Sequence, residues 1–189
     1  MSEIDANLVI FARQIRQRTL EHRRAVQLLS DARLAGQLVA ILRQELDSMI
    51  RVIYLLAQGS ERRRSLIAAM VQGRRWSLAN SRKPVTDKEM AQLAQALQGW
   101  TLSVYKFGCA FIHLSSFHDY NDRDPLALLP ENERRDLLNH CRHYHGGPGD
   151  DACFSDLVPY LPAVFEKIAA NLEYYVELLE SGETSMDLI

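Results

Sequence analysis

The chain has 189 residues, which is long enough for one domain with a substantial hydrophobic core. Hydrophobic residues make up 47% of it and charged residues 24%, proportions that are typical of a soluble globular protein. The formal net charge of -2 excludes an overall positive field that would attract nucleic acid.

Apolar periodicity predicts two long helices at the beginning of the chain. The first is an amphipathic helix over residues 5–29, after which Ser30 is placed to cap the next helix. The second, over residues 31–58, is the longest uninterrupted helical pattern, and six apolar residues form its core stripe: Leu38, Leu42, Leu46, Met49, Ile53 and Leu56. Its other side carries a favourable ladder of charges at four-residue spacing: Arg43, Asp47 and Arg51.

Capping residues and glycines divide the middle of the chain. A short helix is predicted over residues 61–72, and a polar loop over residues 74–85. Thr86 and Glu89 have the spacing of a capping box, so the next helix is expected to begin at residue 87. Its pattern continues to about residue 117, with a kink at Gly99.

Two helices are predicted in the C-terminal third. Residues 118–130 are rich in charges and prolines and are expected to form a loop before a helix over residues 131–144. Residues 162–180 form a last amphipathic pattern. Glycines are predicted to end four helices: Gly59, Gly73, Gly146 and Gly182.

The chain shows no strand alternation of useful length, no internal repeat and no linker. We therefore predict an all-α fold, a single-domain bundle of five to seven helices over residues 1–189. The core bundle is expected to span residues 5–180, with a short flexible tail over residues 181–189.

Residues 100–117 are apolar on nearly every side, which predicts a helix at the centre of the bundle. A membrane span is disfavoured because Lys106 lies in the middle of the segment. Lys106 and His113 are about two helical turns apart on nearly the same line. They are either a snorkelling lysine and a hydrogen-bonded core histidine, or a polar strip that faces a groove or a partner.

The helix predicted over residues 131–144 has an apolar face formed by four residues: Leu137, Leu138, Cys141 and Tyr144. A polar strip lies beside that face: Asp136, His140 and His143. A histidine at this edge, close to a carboxylate, is expected to titrate near neutral pH. Arg134 projects towards the core side, which predicts a partner or a groove next to it.

The segment from Arg135 through Asp136 to His140 resembles the R-x4-6-H motif of HEPN-domain proteins. Arg134 satisfies the same spacing, so either arginine fits the motif. HEPN domains are small all-α bundles with the motif on a helix in the C-terminal half. Many members are metal-independent endoribonucleases of toxin–antitoxin, abortive-infection or CRISPR systems, in which paired motifs across a homodimer form the active site.

The resemblance implies a site for RNA cleavage without a cofactor. His140 would take a proton from a ribose 2′-hydroxyl, and Arg135 or Arg134 would stabilise charge on the phosphate, with Asp136 beside them. The products would carry cyclic phosphate ends, and the implied partners are RNA, an antitoxin protein and a second copy of the chain. Four further residues are candidates for supporting roles: Lys106, His113, His143 and Tyr144.

Two other functions stay open. The chain is alternatively an inactive helical binding or scaffold domain that acts through homodimerisation. It is also a candidate metal protein, because histidines and carboxylates crowd two segments: His118, Asp119, Asp122 and Asp124, and then His140, His143 and His145. Their spacing matches no established ligand pattern, so we expect no tightly bound transition metal.

The cysteines and the N-terminus predict a cytoplasmic protein. The three cysteines are odd in number and lack CxxC spacing, which favours reduced thiols. Two of them are expected to be inert small apolar residues: Cys109 and Cys141. No basic stretch followed by an apolar run begins the sequence, so we expect no signal peptide.

Overall fold

The computed structural model describes residues 5–182, in which helices form nearly all of the regular structure. Within residues 5–182, seven helices have twelve residues or more, and a single helical turn, α7, precedes the last of them: α1 (Ala6–Asp31), α2 (Ala35–Leu56), α3 (Ser60–Val71), α4 (Asp87–Gln98), α5 (Thr101–Ile112), α6 (Glu131–His145), α7 (Phe154–Leu157) and α8 (Leu161–Ser181). Beyond one isolated bridge between Ser77 and Pro84, the described residues contain no strand. The predicted all-α class is confirmed.

Helix α2 lies at the centre of the bundle and packs against α1, α4, α5 and α8. All six residues of its predicted core stripe are buried, as are small residues such as Gly36 and Ala40 on other sides of the helix. The placement of residues 100–117 at the centre is therefore wrong. Helix α5 buries Phe107 and Phe111 but leaves Lys106 and Ile112 exposed, because its outer face is covered by no other helix of the described chain.

Gly99 separates two helices that the sequence pattern had joined. It has a φ of 69° and lies in the left-handed region, where a helix ends readily at glycine. The chain then re-enters a helix at Thr101, and α5 stops at Ile112. The continuous kinked helix predicted over residues 87–117 is thus two helices, because the conformation at Gly99 breaks the hydrogen-bonding ladder.

The connection between α1 and α2 also differs from the prediction. Ser30 lies in the last turn of α1 and does not cap α2, which begins after Leu34 without a side-chain cap. Arg33, with a φ of 57°, makes the turn between the two helices. Burial of α2 on most of its sides stabilises its first turn without that cap.

The predicted charge ladder on α2 forms only in part. Arg51 Nε donates to Asp47 Oδ2 at 2.9 Å, as expected from the four-residue spacing. Arg43, in contrast, is 4% exposed and lies under α5, with its guanidinium 4.3 Å from the centre of the Tyr105 ring. Gly108 makes this possible, because a Cβ there would lie 2.6 Å from the Cβ of Arg43.

Several local signals are confirmed. Thr86 and Glu89 form the reciprocal capping box at the start of α4. Gly73 and Gly182 have positive φ angles at the ends of α3 and α8. The prediction for Gly59 is wrong, because α2 already ends at Leu56 and Gly59, with a φ of -59°, directly precedes α3. Most of the tail predicted over residues 181–189 lies outside the described residues. Within residues 5–182, no helix combines the length and the apolarity needed to cross a bilayer.

Candidate active site around His140

Helix α6 carries the motif residues and is anchored by one apolar face. Pro130 precedes its first turn, and Gly146 ends it in the left-handed conformation. Leu137, Leu138 and Cys141 are buried, as their spacing predicts. Tyr144 is an exception to the predicted face. The residue is 41% exposed, because its ring lies over the ammonium of Lys167, 3.9 Å from the Nζ atom, instead of entering the core.

His140 lies half-buried at the edge of that face, as the helix periodicity predicts. Its Nδ1 atom is buried and has no hydrogen-bond partner among the described residues. Burial lowers the pKa of His140, Asp136 raises it, and His143 lowers it, with burial the largest effect. The imidazole is therefore neutral at pH 7. Because Nδ1 is shielded from solvent, only Nε2 can exchange a proton with a bound molecule.

A polar groove between α4, α5 and α6 opens beside His140. Its volume is about 320 Å³, and the polar or charged residues that line it come from all three helices: Gln95, Ser103, Lys106, Asn132, Glu133, Asp136 and His140. Lys106 Nζ lies 2.6 Å from Glu133 Oε1, so the cation of the groove has a carboxylate partner. The expectation that Lys106 and His140 share a groove agrees with this geometry.

His113 lies outside the groove, contrary to the expectation that it lines the groove with Lys106. It follows the last residue of α5, has an extended backbone and is exposed. The predicted alignment of Lys106 with His113 requires a helix that continues through residue 113. Because α5 ends at Ile112, that line does not continue to His113.

The two motif arginines do not reach this groove within one protomer. Arg135 is exposed on another side of α6. Arg134 points into the fold, where its Nη2 atom donates to the carbonyl oxygen of Ala152 at 3.1 Å and its buried Nε atom has no hydrogen-bond partner among the described residues. His143 is also exposed and stacks edge-on against Tyr144, with ring centres 4.6 Å apart.

A second cavity lies behind His140, between α2, α5, α6 and α8. It is smaller, about 50 Å³, and its walls are mostly apolar. Four residues line both this cavity and the polar groove: Ser103, Phe107, Leu137 and His140. His140 therefore stands in the wall between a polar groove and an apolar cavity.

The residues proposed as metal ligands have other roles in the fold. Asp124 Oδ1 accepts hydrogen bonds from the backbone N–H groups of Leu126 and Phe154. Asp119 lies near Arg123, and the His118 ring packs against Phe111. Among residues 5–182, no three His, Cys, Asp or Glu side chains converge in an arrangement that could hold a metal ion.

Two features near His140 were not singled out from the sequence. Glu133 pairs with Lys106 across the groove, and Lys167 of α8 lines the apolar cavity. The signal for Lys167 is its place between Val164 and Ile168, where a charged residue interrupts the apolar stripe of α8. Glu133 carries no such signal, because acidic residues in the first turn of a helix are common.

Comparison with known proteins does not assign the chain to a family. It matches no protein-family model, and no curated protein or solved structure is significantly similar to it.

Proposed function

We propose that the chain is a HEPN-like, metal-independent endoribonuclease in which His140 is the general base. The observation that carries this proposal is the state of His140, which is half-buried, neutral at pH 7 and part of the wall of a groove of about 320 Å³. A neutral imidazole at the edge of an accessible groove is suited to remove a proton from a hydroxyl group.

The proposed reaction needs no external reagent. His140 accepts the proton of a ribose 2′-hydroxyl, and the O2′ atom attacks the adjacent phosphorus. The bond from phosphorus to the 5′ oxygen breaks, and that oxygen takes up a proton from water as it leaves, while protonated His140 returns its proton to water. The products are a 2′,3′-cyclic phosphate and a 5′-hydroxyl end.

The charge on the phosphate must be stabilised by a cation, and a second protomer can supply it. Residues 135 and 140 are five positions apart, so their side chains project about 140° apart around α6. A single protomer therefore cannot readily direct both at one phosphate. A two-fold homodimer that joins the α6 helices would set Arg135 of one protomer against His140 of the other, consistent with the exposure of Arg135.

The experiment is RNA cleavage by His140→Ala in the presence of EDTA. We expect wild-type protein to cleave RNA under these conditions and the variant to lose roughly 10²- to 10⁴-fold in rate, as is typical for a lost general base. The fold should persist because the side chain lies at the edge of the core. His118→Ala is the matched control, since this exposed histidine lies outside the groove, and it should retain activity.

One observation favours a second candidate, a non-catalytic binding domain that acts through homodimerisation. The groove holds two carboxylates, Glu133 and Asp136, against the single ammonium of Lys106. This balance opposes the binding of a phosphate by one protomer. If purified wild-type protein cleaves no RNA as a dimer, the ribonuclease proposal is wrong and this second function takes its place.

A further inference from the structure

The apolar cavity between α2, α5, α6 and α8 has one charged residue at its outer end. Lys167 is half-buried there, with its Nζ atom 3.9 Å from the centre of the Tyr144 ring and 5.9 Å from that of Trp100. No carboxylate of residues 5–182 lies within 4.0 Å of this ammonium. The acidic residue next to it in sequence, Glu166, is bound to Arg23 by two hydrogen bonds of 2.8 Å.

Lys167 therefore differs from Lys106, the lysine that lines the polar groove. Lys106 is more exposed and has Glu133 as its partner, whereas Lys167 is partly withdrawn from water and has only aromatic faces as partners. A cation that is partly shielded from water attracts a nearby anion more strongly than a fully solvated cation does. An unpaired ammonium in this position is complementary to a negatively charged ligand.

Two imidazoles add polar atoms to the lining of the cavity. His140 and His145 both line it, and neither has a hydrogen-bond partner among the described residues. Most of the other lining residues are aliphatic or aromatic, with Leu42, Val104 and Leu161 among them. The cavity thus combines a mostly apolar lining with two imidazoles and one positive charge.

We infer that this cavity binds a small carboxylate with a short apolar tail, whose carboxylate pairs with Lys167 and whose tail lies among the aliphatic side chains. A carboxylate fits better than a phosphate, because the lining contains a single formal cation and no arginine to bind a dianion through two parallel hydrogen bonds. This inference does not depend on the proposed ribonuclease activity.

The volume limits the length of the tail. At about 50 Å³ the cavity has one third of the roughly 150 Å³ of an apolar cavity that accepts benzene. A tail smaller than a benzene ring therefore fits, as in butyrate. A longer alkyl chain, as in octanoate, exceeds the space, and acetate leaves most of the apolar wall without a contact.

Binding of butyrate to the full chain, measured by calorimetry and by the shift in unfolding temperature, tests the inference. We expect saturable binding of butyrate at millimolar concentration, with weaker binding of acetate and octanoate at the same ionic strength. Butyramide, which has nearly the same shape but no charge, should bind at least about tenfold more weakly if the carboxylate pairs with Lys167.

Matched lysine variants locate the site. Lys167→Met keeps much of the length of the side chain and should reduce butyrate affinity at least about tenfold. Lys88→Met, at an exposed position in the first turn of α4, should bind as the wild type does. Val164→Leu adds one methylene to the cavity wall and should weaken butyrate binding while leaving the charge in place.

The inference is overturned if wild-type protein binds no butyrate, if butyramide binds equally well, or if Lys167→Met binds with wild-type affinity. If Lys167→Met fails to fold, the binding of butyrate, butyramide and octanoate to wild-type protein still tests the inference. Equal binding of the three would contradict both the charge requirement and the size limit.

Discussion

At the scale of single residues, the partial burial of two histidines in α6 makes the stability of the fold depend on pH. Burial lowers the pKa of His140 and, with Lys167, that of His145, whereas the unfolded chain keeps the ordinary value near 6.5. Below about pH 6.5 the unfolded state therefore binds more protons than the folded state. The stability contributed by the neutral histidines is present above this pH and is lost as the pH falls.

This difference predicts a measurable acid destabilisation. In urea denaturation, the free energy of unfolding should decrease between neutral pH and pH about 5.5. His140→Gln removes one of the two half-buried histidines, so the free energy of unfolding of this variant should decrease less over this pH range than that of the wild type. His118→Gln, an exposed histidine outside both cavities, is the control and should retain the full decrease. An unchanged decrease in His140→Gln would contradict the prediction.

At the scale of elements, the contact between α2 and α5 depends on one glycine. A Cβ at position 108 would lie 2.6 Å from the Cβ of Arg43 and 3.1 Å from its Cγ. Arg43 cannot easily withdraw, because its guanidinium reaches both Asp87 and the thiol of Cys109. The two helices must therefore separate to accommodate any larger residue.

Gly108→Ala should lower the free energy of unfolding by about 1–3 kcal/mol, the usual cost of overpacking a close helix contact. This loss should exceed the gain in helix propensity of about 1 kcal/mol that alanine brings. Gly149→Ala is the control, because a Cβ there meets nothing within 4 Å, and it should change stability by less than about 0.5 kcal/mol. Chemical denaturation of both variants checks the prediction, and equal stabilities would refute it.

At the scale of the whole molecule, the proposed function requires two copies. Arg134 is not evidence for a second copy, because it donates a hydrogen bond to Ala152 of the same chain. Arg135 supports a second copy, because it is exposed and projects away from the groove that contains His140. We expect a homodimer of twice the 21.6 kDa chain mass in light scattering at micromolar concentration. A mass of one chain would count against both proposed functions.

Complementation provides a sharper measurement of the shared site. His140→Ala and Arg135→Ala should each be inactive alone, but a mixed dimer contains one site with both residues intact. Random exchange of protomers should then restore about one quarter of wild-type activity, because half of the dimers are mixed and each has one good site. Absence of recovery, with exchange verified by mass spectrometry of tagged protomers, would contradict a site shared between protomers.

The sequence by itself determined the helical class and many of the helix ends. Apolar periodicity identified the buried stripe of α2, and local signals identified the start of α4 at Thr86 and the ends at Gly73 and Gly182. These features are readable because they depend on side-chain and backbone interactions within about one helical turn. The position of His140 at the edge of a buried face follows from the same periodicity.

Only the tertiary structure decided which helix is central and which charges meet. The apolar content of α5 does not reveal that α2 is enclosed on more sides, since enclosure depends on how distant helices pack. The buried pair of His22 and Glu45, 2.6 Å apart, and the contact of Lys106 with Glu133 join residues more than 20 positions apart. Such pairs leave no periodic signal within either helix, because they form when packing brings two helices together and withdraws their polar groups from water.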